Sequence, residues 1–257
     1  MPLSPRIRPL VRLAVLAAAI LLLLALAAPV GAAEDPSTVN VQVPAPGGDP
    51  GTTIGLLGLF TLITLGPSVL IMMTGFTRIL IVLGFLRQAM GTPTLPPNQI
   101  LVGISIFLTI FVMGPTFSTI NETALQPYLN EEISGQQAID NAAKPLKVFM
   151  LKQTGSSELE LFVNLSREEA PKTADDVPLT TLVPAFMVSE IKTAFMIGFL
   201  IYVPFLIIDM VVASTLMSMG MMMLPPQMIS LPFKLLLFVL VDGWALLIQN
   251  LVAGFHT

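Results

Sequence analysis

Cysteine is absent from the 257 residues, and histidine occurs once, at His256. Without cysteine there is no disulfide framework, no thiolate nucleophile and no cysteine-ligated metal. With a single histidine, catalytic triads and histidine-based metal sites are nearly excluded. Neither a dinucleotide fingerprint nor a phosphate-binding loop occurs, so no cofactor, metal or nucleic-acid partner is expected. Charge is the third shortage. Asp, Glu, Lys and Arg supply 11 % of the chain, against about 25 % in a typical soluble domain. Apolar residues fill the space, at 54 % of the sequence, and the mean hydropathy is +0.84. This composition points to an integral membrane protein.

The apolar residues are grouped. Arg6, Arg8 and Arg12 precede an apolar run over Leu13–Ala28, which Pro29 and small residues close. The pattern reads as a signal peptide over residues 1–32, with a small-x-Ala cleavage site at Val30-Gly31-Ala32; a retained first membrane helix is the alternative. Residues 33–53 read as an exposed Pro/Gly-rich linker. Four apolar segments follow: Ile54 to Met73 resuming through Ile79–Leu86, Ile100–Phe117, Leu182–Ile208 and Ile229–Val252. Each approaches or exceeds the roughly 20 residues that cross a hydrocarbon core. Thr119–Pro184 holds five basic and ten acidic residues, whereas the first interhelical loop carries Arg87 and no acid. The positive-inside tendency therefore puts Arg87 on the cytoplasmic side and exports residues 119–181 together with the mature N-terminus. In that exported part Ser134 can cap a helix over Gln136–Gln153, and Ser157 another over Glu158–Leu165. The expected fold is all-α: two long bent hairpins over residues 54–118 and 182–257, with a small helical insertion over 119–181.

An internal likeness links the hairpins. "MGTPTLPPNQI" at Met90–Ile100 aligns with "MGMMMLPPQMI" at Met219–Ile229 in six of eleven positions, at an offset of 129, and the same register sets Gly114 on Gly243. Both copies fall at a hairpin bend, and under the topology above both face the cytoplasm, as in a parallel repeat. Convergence of membrane hairpins on Gly and Pro is the alternative, but the shared Met-Gly-x-x-x-Leu-Pro-Pro spacing favours duplication. Gly220, Pro225 and Pro226 would break helical geometry between the third and fourth segments. Only this copy carries Met219 with Met221, Met222 and Met223. Methionine is unbranched and polarizable and adapts to changing surfaces. A ring of such side chains can exclude ions by dewetting and still deform around a passing polypeptide. Ordinary lipid-facing or core packing is the plainer use of methionine, but three in succession at a break fit it poorly.

Five ionisable residues lie in or beside the last two apolar segments: Glu190, Lys192, Asp209, Lys234 and Asp242. Each costs at least about 3 kcal/mol at a bilayer centre. Glu190 and Lys192 are two apart and point to different faces of one helix. Each then needs a partner on another segment or another chain. One arrangement is an oligomer in which Glu190 meets a cation of its neighbour; the other is snorkelling of Lys192 and Lys234 with Glu190 capping locally. Asp209 and Asp242 lie at similar depth if the hairpin folds about Pro225-Pro226, and could form an acid–base dyad, sense protons or tie helices together. No nucleophile or metal ligand accompanies them, so an enzyme is not expected. A small-molecule transporter remains the alternative from a different class.

Three stretches, "GFTRILIVLGFLRQAMGTPTLPPNQILVG" (Gly75–Gly103), "SEIKTAFMIGFLIYVPFLIIDM" (Ser189–Met210) and "PFLIIDMVVASTLMSMGMMMLPPQMISLPFKLLLFVLVDGW" (Pro204–Trp244), closely resemble the FliP family, the flagellar export-gate proteins of type III secretion. The resemblance spans roughly Ile54 to Trp244. It implies a non-enzymatic subunit of a pentamer that joins FliQ and FliR in a helical cone, works with FlhA and FlhB in the inner membrane at the flagellar basal body, and passes unfolded flagellar proteins. It implies a methionine gasket at Met221, Met222 and Met223, with Met219 contributing, and buried polar contacts between subunits at Glu190 and Lys234. It also implies that much of each hairpin stands above the membrane plane, so the charges face protein rather than lipid.

Overall fold

The structure is a computed structural model and describes Thr64, Ser68, residues 71–166, Pro171, Thr173, and residues 176–221 and 224–255. The chain divides into a unit of Met1–Thr53 and a unit of Ile54–Thr257. The predicted signal peptide and linker fall in the first unit, outside the described residues; most of Ile54–Leu70, in the second unit, is also outside them. All regular structure among the described residues is helical: α1 (Phe76–Ala89), α2 (Asn98–Val112), α3 (Gly114–Leu129), α4 (Gly135–Gln153), α5 (Ser156–Ser166), α6 (Leu179–Ser218), α7 (Pro226–Leu240) and α8 (Gly243–Ala253).

Local chemistry sets the boundaries. Ser134 caps α4 in a capping box: its hydroxyl accepts from the Gln137 amide at 3.3 Å, and the Gln137 side chain accepts from the Ser134 amide at 2.9 Å. Helix α5 begins at Ser156, so Ser157 sits inside its first turn and does not precede it. The second and fourth apolar segments are each broken. Helices α2 and α3 are bent by 61°, and α7 and α8 by 64°. Pro115 enters the first break just after Gly114; its ring crowds the carbonyl four residues back and removes an amide, which favours a bend there. At the second break Asp242 takes a left-handed conformation, φ 51°, which stops α7. Helix α6 runs unbroken for 40 residues despite Pro184 and Pro204, and extends ten residues beyond the Ile208 boundary read from the sequence. At 1.5 Å per residue it is about 60 Å long, roughly twice a hydrocarbon core. By length and composition it is the one described helix able to cross a membrane alone; the two bent pairs reach that standard only if each counts as one span.

The core surrounds the N-terminal half of α6. Helix α1 packs along it, and α4 and α5 cover the same half. Ile79, Val82, Leu83, Met150, Leu182 and Phe186 are fully buried there, each worth about 1.5–3 kcal/mol relative to exposure. Phe149 meets Phe186 edge-on at 6.0 Å, and Phe85 meets Phe195 at 5.1 Å. Beyond Gly198 only Phe205 and Leu216 of α6 are buried. Met210 is 70 % exposed, as is Phe111 on α2. A helix that is apolar on all faces needs cover from lipid or from other chains.

Candidate functional site

The bend between α6 and α7 is built by hydrogen bonds at the end of α6. The Gly220 amide donates to the Met217 carbonyl at 3.1 Å, and the Met221 amide donates to Leu216 at 3.0 Å. This pair of bonds is a Schellman motif. It needs a left-handed residue, and Gly220 supplies it with φ +75°. Pro225 then caps α7 and Pro226 takes its first position, where a missing amide costs nothing. Met219 is 63 % exposed and Met221 36 %. Met222 and Met223 lie outside the described residues.

The first bend has the same construction. The Gly91 amide donates to Gln88 at 3.0 Å and the Thr92 amide to Arg87 at 3.4 Å. Gly91 has φ +76°. Helix α2 starts after Pro96-Pro97. The offset of 129 therefore carries the same backbone device, and the following helices break at equivalent places, Met113 and Asp242, through nearly equal angles. The linings differ. At the first bend Arg87 donates to Asn98 Oδ1 at 2.5 Å, and Thr92 Oγ1 donates to the Leu95 carbonyl at 2.8 Å; methionines occupy the second.

Among the described residues, ion pairs organise the charged side chains of α1, α5, α6 and α7. Glu190, fully buried on α6, is held by Arg78 on α1: Nε donates to Oε2 at 2.8 Å and Nη2 donates to Oε1. Arg78 also donates from Nη2 to Gln153 Oε1 at 3.4 Å and from Nη1 to the Gly254 carbonyl at 2.9 Å. Two donors thus meet the carboxylate in a fork that only arginine provides. The cation expected from a neighbouring copy is supplied within the chain. Lys192 reaches Glu158 on α5 at 2.6 Å. Beside it the Gly155 amide donates to Ser189 Oγ at 2.9 Å, and that hydroxyl donates to the Gln153 carbonyl at 3.2 Å. The Glu158 carboxyl is held below its ordinary value by the Lys192 ammonium first and by the Ser157 hydroxyl second.

Lys234 on α7 is buried; it donates to Asp209 Oδ2 at 2.6 Å and to the Ala89 carbonyl at 3.2 Å. Ser230 donates to Asp209 Oδ1 at 2.5 Å. Lys234 thus ties both copies of the repeat together, because Ala89 ends α1 at the first bend. These bonds correct the expected depth of the two aspartates. Asp209 faces Ser230 and Lys234, so the chain folds back about Gly220–Met221 and not about Pro225-Pro226. Asp242 lies eight residues beyond Lys234, about 12 Å further along at helical rise, where it starts α8. The two carboxylates form no dyad.

Sequence reading missed Arg78, Gln153, Glu158 and Ser230. Arg78 looked like an interruption of an apolar run. An isolated arginine among "FTRILIVLGF" is itself a signal that an acid waits elsewhere in the fold. Among the described residues no group of three or more His, Cys, Asp or Glu is placed to hold a metal.

The family model of the FliP family matches residues 59–251. Proteins called flagellar biosynthetic protein FliP are similar over most of the chain. That of Bacillus subtilis is 56 % identical over 204 residues, covering 79 % of this chain and 92 % of that protein. That of Pectobacterium carotovorum is 50 % identical over 219 residues, covering 84 % and 85 %. That of Caulobacter vibrioides is 49 % identical over 225 residues, covering 88 % and 85 %.

Proposed function

The chain belongs to the FliP family, and from that premise we propose that it is a non-enzymatic subunit of the flagellar protein-export gate. In this reading it assembles as a pentamer with FliQ and FliR in the inner membrane at the basal body. It works beside FlhA and FlhB and conducts unfolded flagellar proteins. The α1–α2 and α6–α7 pairs are its two hairpins, and both bends face the cytoplasm. Residues 119–181 and the mature N-terminus, freed by cleavage after residue 32, face the opposite side. Glu190, Lys192, Asp209, Lys234 and Asp242 hold helices in register, within the chain or at its borders with other subunits.

The observation that carries this reading is the asymmetry of the repeat. One backbone device is used twice, and only the copy ending the 40-residue α6 exposes methionine. Met219 and Met221 project from a bend fixed by Gly220, Pro225 and Pro226. With Met222 and Met223 and their counterparts on other subunits they form a deformable apolar constriction, dry to ions and able to reshape around a polypeptide. The test is replacement of Met221, Met222 and Met223 by alanine in cells. The expected outcome is raised ion leakage with assembly retained. Unchanged ion tightness and unchanged export would remove the sealing role.

A further inference from the structure

The Arg78–Glu190 pair is closed on one side by the segment after α8. Gly254 and Phe255 follow Ala253 and fold back onto α1. The Phe255 ring lies over the Arg78 guanidinium, with the guanidinium carbon 4.1 Å from the ring centroid. The same ring stacks on Phe149 of α4, with centroids 6.5 Å apart and planes 21° from parallel. Phe255 is buried. Gly75, immediately before α1, lies so close to the ring that a Cβ there would collide with it. Three elements distant in sequence thus meet on one cation: α6 through Glu190, α4 through Gln153, and the α8 end through Gly254 and Phe255.

We propose that Phe255 is a positioning residue for the buried ion pair: its ring face fixes the plane of the Arg78 guanidinium so that both donors of the fork meet Glu190. Four of the five in-plane protons of the Arg78 guanidinium are spent on oxygen acceptors, and its two faces stay available. An aromatic face is the surface that attracts a desolvated cation. An aliphatic side chain of similar size fills the volume and leaves the guanidinium face without that attraction. Rotation of the guanidinium about its Cδ–Nε bond would then detach one of the two bonds to Glu190. This inference goes beyond the export reading and does not depend on it, because its test is read on purified protein.

The test compares Phe255→Trp, Phe255→Tyr and Phe255→Leu in the full chain, purified in detergent, by the fraction resisting thermal unfolding at a fixed temperature. Tyr is expected to stay near wild type, Trp to lose stability by crowding against Gly75, and Leu to raise the unfolded fraction about tenfold, the effect of a largely desolvated cation–π contact. A second arm places Phe255→Leu in an Arg78→Met, Glu190→Met background, where no cation remains. There the Leu effect is expected to vanish, since the coupling is with the ion pair. Leu equal to Phe in the native background would overturn the proposal. So would a Leu penalty of the same size in both backgrounds, the mark of a packing role alone. Should the paired background fail to fold, the same cycle is run in an Arg78→Gln, Glu190→Gln background, which also removes the cation, and the same two outcomes decide.

Discussion

Arg78 and Glu190 have side chains 3 % and 0 % exposed, which makes them the charged pair furthest from water in the described fold. Burying two charges costs several kcal/mol each, and their attraction repays this only with good geometry and further hydrogen bonds. Both conditions hold: the contact is a two-bond fork, and two of the three remaining guanidinium protons reach Gln153 and Gly254. Such a pair is a weak source of net stability but a strong liability when halved. Glu190→Ala is expected to destabilise the protein by about 3–5 kcal/mol, since it strands a buried guanidinium. Replacing both partners by methionine should cost far less. Thermal unfolding of the two variants distinguishes these outcomes, and native gels show whether oligomers weaken in parallel. Normal stability and normal oligomers in Glu190→Ala would contradict the argument. The same pair explains why α1 reads poorly as an independent membrane span. Its arginine is neutralised by a residue 112 positions later, so α1 is completed by α6.

At the scale of elements, the sequence disclosed what depends on neighbouring residues. Ser134 announced the start of α4 to within one residue, and the paired Gly and Leu-Pro-Pro strings marked both bends. What depends on distant residues was not visible. Helical periodicity cannot say that Arg78 faces Glu190, or that Asp209 faces Lys234 rather than Asp242. The break before α8 was hidden as well, because a left-handed Asp242 is a tertiary outcome at a residue that tolerates it. Helix α5 shows how such distant contacts set local behaviour. It is fastened to α6 by Lys192–Glu158 and by Ser189 against Gly155. Because the folded Glu158 carboxyl titrates below its ordinary value of 4.5, the unfolded state binds the proton more readily. The tether therefore contributes fully above that value and is lost as pH falls through it towards the folded value. Hydrogen exchange of α5 amides, corrected for the intrinsic effect of pH, should hold its protection down to about pH 5 and lose it as pH falls below 4.5. Protection in α1 should change less. Glu158→Gln should show the weaker protection already at neutral pH, with no further loss on acidification. Lys192 is 58 % exposed, so the effect should be modest and shrink with salt. An α5 whose protection ignores both pH and this substitution would sink the idea.

For the whole molecule, the repeat separates what shapes a bend from what a bend does. Gly91 and Gly220 share one conformation, φ +76° and +75°. The Schellman bonds recur at equivalent residues, and the following helices break by 61° and 64°. The residues between the glycine and the Leu-Pro-Pro string, Thr92-Pro93-Thr94 and Met221-Met222-Met223, differ at all three positions, and the Schellman bonds at both bends run through backbone amides. Exchanging them should therefore leave fold and assembly intact. The surroundings of the bends are not equivalent. The first is engaged from α7 by Lys234 at the Ala89 carbonyl and from α2 by Asn98 at Arg87, whereas nothing lies within 4 Å of the space a Cβ would fill at Gly220. The second bend is the one free to project. Placing Thr-Pro-Thr at residues 221–223 should raise ion leakage through the assembled gate. Moving the three methionines to residues 92–94 in the same chain should fail to restore tightness. Ion flux across membranes of cells carrying each variant, with native gels to verify assembly, reads both results. Restored tightness in the double exchange would mean that methionine composition suffices and that the position at the end of α6 does not matter.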